Sequence, residues 1–329
     1  IISGREILPL FLMNKKTPTV MIALGGNALS PKNEAGTISE QFSHTRESLL
    51  AVLHFVNLGY NICITHGNGP QVGAELLRNE IASDVTPPLP LGVLVANTQG
   101  AIGYMIQQSL QNALKSIESP REVVSFISQM RVDENDPAIH DPVKFIGRSY
   151  SKQRAKEYKR KFGWVVKEQE PDLWRRVVPS PKPLYIFNGK SIKHLVDFGT
   201  IVIAGGGGGI PAFYTEEKGL EGLNGVVDKD RTASLLGRVI KAEEMFIITD
   251  VDNIFLNFKN PNQKTVLKAN ASEIEQYLKD GHFSRGTMAP KIRSALYFLK
   301  YHGEKVVITS ISKLKEAIDG TAGTTIFKD

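Results

Sequence analysis

Thr200-Ile-Val-Ile-Ala204 runs directly into Gly205-Gly-Gly-Gly-Gly209 and then Ile210-Pro211. A short β-favouring run that ends in a glycine turn reads as a buried strand of a parallel sheet. The same pattern recurs before and after it. Val20-Met-Ile-Ala-Leu24 leads to Gly25-Gly26-Asn27, and Tyr60-Asn-Ile-Cys-Ile-Thr65 leads to His66-Gly67-Asn68-Gly69-Pro70. Met245-Phe-Ile-Ile-Thr249 leads to Asp250-Val251-Asp252, and Lys305-Val-Val-Ile-Thr309 to Ser310.

Helical patterns fill the intervals. From His44 to Leu58, the residues Leu49, Val52, Leu53 and Val56 share one stripe. Ser272-Glu-Ile-Glu275 reads as a capping box opening a helix through Leu278. Pro290 falls in the first turn of a helix running to Tyr301. Strands alternating with helices predict an open α/β sheet with helices on both faces. One stretch breaks the rhythm: 133–183 is polar and proline-studded, and it carries Trp164 and Trp174. An insertion of that length predicts a lid with a small core of its own.

The 329 residues are 41% hydrophobic and 22% charged, an ordinary globular composition. A single cysteine, Cys63, excludes an intrachain disulfide and suits a reducing, cytoplasmic setting. No apolar run approaches the ~20 residues of a membrane span. The net charge is +6, but the densest basic stretch, Lys152 to Lys161, is interrupted by Glu157. Helical spacing spreads its charges, so a solvated helix is expected rather than a nucleic-acid surface. Residues 1–12 precede the first methionine, Met13, and are expected to be an added or disordered lead.

The glycine turns carry the chemistry. In parallel sheets ligands bind beyond the carboxyl ends of the strands, where exposed backbone N–H groups can cradle an anion. Neither standard nucleotide loop fits. A Walker loop ending in Gly189-Lys190-Ser191 needs glycine at 184, where Leu184 stands, and Gly67 to Gly73 is one residue too long for the dinucleotide fingerprint. Asp228-Lys229-Asp230 precedes a helical run to Ile240. Capping alone accounts for either Asp, while the cluster can equally hold Mg²⁺ and a phosphoryl oxygen together. Lys291, in a helix first turn, opposes the helix dipole unless an anion sits there, and Lys144 in the insertion shares that ambiguity with a solvated lysine. His66 is expected to pack its turn rather than to catalyse. Zinc motifs and a nucleophile elbow are absent from the sequence.

Eight segments resemble the carbamate kinases of the amino acid kinase superfamily. They are Leu24 to Ala28, His66 to Gly73, Thr98 to Tyr104, Trp174 to Pro183, Gly205 to Pro211, Val227 to Asp230, Thr249 to Asp252, and Gly281 to Lys291. Arg176 stands where that family commonly has lysine, and the glycine run is one residue longer. The resemblance implies an open αβα sandwich with a mostly parallel central sheet and a protruding subdomain. It implies an N-terminal lobe for carbamate or carbamoyl phosphate (13–241, with a lid at about 133–183) and a C-terminal nucleotide lobe (242–329). The implied activity is reversible phosphoryl transfer between carbamoyl phosphate and ADP, with Mg²⁺, in a homodimer that makes ATP during arginine catabolism through the arginine deiminase pathway.

The same resemblance implies site roles. Lys229, Lys291, Lys144 and Asp230 are the catalytic candidates, with Asp230 either organising the metal, directly or indirectly, or orienting the lysines. Gly25, Gly26, Asn27, Gly67, Asn68 and Gly69 would line the carbamate side. Gly207, Gly208, Asp250, Val251, Asp252, Met288 and Lys291 would meet the nucleotide. Two other readings stay open at this point: a kinase of another small acid such as an N-acetylated amino acid, and a nucleotide-binding regulator without chemistry.

Overall fold

The computed structural model describes residues 17–29, 36–284 and 287–329, apart from the side chains of Asn27 and Ala28. The lead 1–12, Met13 and the Asn27 side chain therefore lie outside the described residues. Each apolar run noted in the sequence is a strand: β1 Thr19–Leu24, β2 Asn61–His66, β4 Ile201–Ile203, β5 Glu244–Thr249 and β7 Lys305–Ser310. Three short strands complete the sheet, β3 Val123–Ser125, β6 Lys268–Asn270 and β8 Thr324–Phe327. The order is β6-β8-β7-β5-β1-β2-β4-β3, and every pairing is parallel except β7 with β8.

Both faces of this sheet are covered, as its side chains require. Met21, Ala23, Met245 and Ile247 pack on the face that carries the helices Lys229–Ile240 and Met288–Tyr301. Val20, Ile22, Leu24 and Phe246 pack on the other, against Leu49, Phe55 and Ile106. A strand buried on both faces cannot alternate, which is why these runs are continuously apolar.

Two local expectations are corrected. The His44–Leu58 stripe is divided between two helices, Ile38–Leu50 and Val52–Asn57. The capping box belongs to Asn270 and Glu273, because the chain leaves β6 at Asn270 and the helix Ala271–Lys279 starts there, ahead of Ser272.

The polar insertion folds as a separate layer. Strands Lys144–Tyr150, Val166–Glu170 and Leu173–Val178 make an antiparallel three-stranded sheet, flanked by the helix Lys152–Phe162. Its small core is aromatic: Trp164 is buried with Tyr150, Tyr158 and Phe162 around it, the Tyr158 ring centroid 4.7 Å away. Trp174 is only partly buried, and Lys152 lies over its ring.

Candidate active site

The glycine turns after β1, β2 and β4 meet because those strands are neighbours. Gly67 N–H donates to Leu24 O at 3.0 Å, and a Cβ on Gly67 would stand 2.8 Å from Gly26 N. The two loops touch through backbone alone, so glycine is obligatory at that approach. The third turn is held from three sides. Thr65 Oγ1 donates to Gly205 O at 2.8 Å, Gly205 N–H donates to Ser128 Oγ at 2.9 Å, and Thr232 Oγ1 donates to Gly208 O at 2.7 Å. Gln99 fixes Ser128 by accepting its N–H and donating to its carbonyl.

Asn68 is buried and donates to Thr98 Oγ1 at 2.9 Å, and a Cβ on Gly207 would collide with the Asn68 amide. Gly207 thus sits beside the Gly67–Gly69 turn. His66 is buried behind the turns, with Nδ1 3.1 Å from Gly67 O. Burial holds its pKa down, at about 4, so the ring is neutral at pH 7. It packs the turn, as its sequence context suggests.

The helices Lys229–Ile240 and Met288–Tyr301 pack together, and their starts converge on one carboxylate. Lys229 Nζ donates to Asp230 Oδ1 at 2.5 Å and Lys291 Nζ to Asp230 Oδ2 at 2.9 Å. All three side chains are largely buried. Burial pushes the Asp230 carboxyl up, but the two ammonium groups outweigh it and hold the group well below the usual carboxylate range. Burial also acts on the lysines. It wins at Lys229, whose pKa falls, while at Lys291 the attraction of Asp230, Asp228 and Asp250 overcomes it and the pKa rises.

Asp228 closes the cluster. Its Oδ1 accepts the N–H groups of Asp230 and Arg231, at 2.9 and 3.3 Å, which caps the helix. Its Oδ2 accepts from Lys144, reaching across from the protruding sheet. Lys144, Lys229 and Lys291 thus meet Asp228 and Asp230 beside the glycine turns, with Asp250 acting on Lys291 from further off.

Lys144 gets there because the protruding sheet docks on the helix Gly69–Ile81. Glu80 on that helix pairs with Arg176 and accepts Trp164 Nε1–H at 2.7 Å. Two turns earlier, a Cβ on Gly73 would fall 2.0 Å from Gly147 Cα. Asp250, Val251 and Asp252 follow β5. Asp252 accepts from Ser310 Oγ, at the end of β7, at 2.5 Å, and Met288 opens the helix that carries Lys291. Sequence reasoning missed the supports Thr98, Gln99 and Ser128 and the anchor Glu80. Thr98 and Gln99 lie in a quoted segment, whereas Ser128 and Glu80 carry no local signal because their partners are distant in the chain.

Comparison with known proteins agrees with this geometry. A model of the amino acid kinase family matches residues 18–310. The carbamate kinase of Pyrococcus furiosus is 39% identical over 309 residues, 93% of this chain and 98% of that one. That of Thermococcus kodakarensis is 40% identical over 314 residues, 94% and 99% of the two chains. The structure of carbamate kinase from Giardia lamblia bound to AMP-PNP matches with a TM-score of 0.86 and 39% identity, over 95% of this chain and 99% of that one.

An open α/β sheet with anion-cradling turns and a lysine–carboxylate centre defines an ATP-dependent phosphotransferase of the amino acid kinase class. Within that class the chain belongs to the carbamate kinase family.

Proposed function

We propose that this protein transfers a phosphoryl group between carbamoyl phosphate and ADP, giving carbamate and ATP. The observation that carries the reading is the pair Lys229 and Lys291, both bonded to Asp230 beside the glycine turns, in a chain similar to carbamate kinases over nearly its whole length. In the ATP-forming direction a β-phosphate oxygen of ADP attacks phosphorus, the bond from phosphorus to the carbamate oxygen breaks, and carbamate leaves with that electron pair. Charge spreads over the equatorial oxygens, so positioned positive groups do most of the work. Lys229 and Lys291 supply them, Asp230 aims both, and Lys144 covers carbamoyl phosphate. In the reverse direction carbamate is already an anionic nucleophile, so no general base is needed.

The backbone N–H groups of Gly25, Gly26, Asn27 and Gly69, with Gly67 and Asn68 lining the turn, would hold the carbamate end. Gly207 and Gly208, the stretch Asp250 to Asp252, and Met288 would face the nucleotide. Mg²⁺ would arrive on the nucleotide phosphates and add positive charge there. Both Asp230 oxygens are engaged by lysines, and among the described residues no group of three or more His, Cys, Asp or Glu could hold a metal. That donor set fits an indirect role for Asp230, orienting lysines beside a water- and phosphate-coordinated ion.

Among the described residues no helix is long and apolar enough to cross a membrane, and a cytoplasmic, ATP-making role in arginine catabolism is the setting proposed. A homodimer is supported by apolar exposure on the helix Leu91–Ser116, where Tyr104 is 58% exposed, near Ile127 at 49%. Purified protein given carbamoyl phosphate, ADP and Mg²⁺ is expected to form ATP. ATP no faster than in a protein-free control would overturn the assignment.

A further inference from the structure

A helix cap needs one acceptor oxygen, and Asp228 has two. Oδ1 serves the start of Lys229–Ile240. Oδ2 is spent on Lys144, a residue 84 positions away on the protruding sheet. Asparagine or serine would cap equally well, so capping does not account for the second oxygen or for the charge. The pair is well shielded, with the Asp228 side chain 14% exposed and that of Lys144 34%. Asp230, Lys229 and Lys291 are the other charged groups near it. Without Asp228, Lys144 would lose its carboxylate while Lys229 and Lys291 keep Asp230, and Lys144, the most exposed of the three, would be the one repelled outward.

We propose that Asp228 is a positioning residue for Lys144: it holds the ammonium group at the phosphoryl site before substrate arrives and keeps one donor while the others turn to the phosphoryl oxygens. An ammonium has three donors, so it can bond Asp228 and substrate together. Asp228 thereby ties the protruding sheet to the helix that carries Lys229 and Asp230. The inference rests on the carbamate kinase reading of the site, and its test separates the two.

Asp228→Asn retains an oxygen for the cap and removes the charge. In the wild-type background kcat/KM for carbamoyl phosphate is expected to fall about tenfold, since a misplaced contact group costs on that order or more. KM for ADP is expected to change less than twofold. In a Lys144→Ala background the same substitution is expected to cost almost nothing further. Equal losses in both backgrounds, or no loss in the first, would overturn the proposal, because Asp228 would then serve only the helix start.

A second readout needs no turnover. Acetic anhydride labelling followed by mass spectrometry is expected to modify Lys144 several-fold faster in Asp228→Asn than in wild type, and unchanged labelling overturns the inference even if no ATP is formed. Asp228→Ser replaces the asparagine variant in both experiments if that chain does not fold.

Discussion

The lysine–carboxylate centre and the protruding sheet differ in how much apolar packing holds them. Lys229, Asp230 and Lys291 stand on two helices whose apolar faces share a core with the central sheet, among them Ala233, Leu236, Ile292 and Ala295, all buried. The protruding sheet meets the rest of the molecule through a smaller apolar seam, Ile146 and Val178 against Val72 and Leu76, and through the Glu80–Arg176 pair, the Trp164 indole N–H, a glycine-on-glycine contact and the Lys144–Asp228 pair. Burial of apolar area is non-directional and cooperative, so the centre is as rigid as the core beneath it. A small seam with a few polar contacts parts at lower cost than that larger core unfolds. The lesson is a division of support: Lys229, Asp230 and Lys291 stand on the main core, while Lys144 is carried on a layer with a smaller seam.

The comparison breaks first at the centre. Lys229→Ala or Lys291→Ala is expected to lower kcat by about 10²-fold or more, from the loss of one transition-state charge contact. Steady-state kinetics at saturating carbamoyl phosphate and ADP check this, and a wild-type rate removes that lysine from the centre.

The centre should also be the acid-sensitive side. His66 is neutral in the fold, with a pKa near 4 against 6.5 when free. Between those values the unfolded chain binds more protons, so stability falls as pH drops from 6.5 towards 4, by about 3 kcal/mol across the window. Denaturant melts at pH 7 and pH 4.5 test it, and His66→Gln is expected to flatten the slope. An unchanged slope would show that His66 is not the titrating group.

At the protruding sheet the expected effects are smaller and confined to substrate binding. Gly73→Ala would set a methyl against Gly147 and lift the sheet, raising KM for carbamoyl phosphate about tenfold while the melting temperature stays within a few degrees. A large fall in melting temperature would mean that the apolar seam of Ile146 and Val178 is lost with that contact. Glu80→Gln keeps an acceptor for the indole N–H and loses the charge facing Arg176, for about a threefold rise in the same KM. Limited proteolysis between residues 144 and 178 would report the loosening directly.

The five apolar runs marked the central strands in sequence because a strand buried on both faces has no choice of composition. The short strands β3, β6 and β8 were not legible. They are three or four residues long, and what makes them strands is the neighbour they pair with. The glycine turns, Asp228 to Asp230 and Lys291 were visible as chemistry, because glycine and clustered charge at a helix start are local signals. That both lysines bond Asp230 at once, one to each oxygen, was not.

The chain by itself determined which segments are the five central strands, where the glycine turns lie and where charged residues cluster at helix starts. Those properties depend on a residue and its immediate neighbours. Only the tertiary structure decided that Lys291 and Lys229 share one carboxylate, that Gly67 lies against Gly26, and that Lys144 reaches Asp228. Apart from the neighbours Lys229 and Asp230, each of those contacts joins residues dozens of positions apart. They exist because the sheet order and the packing of two helices bring the ends of distant elements to one place.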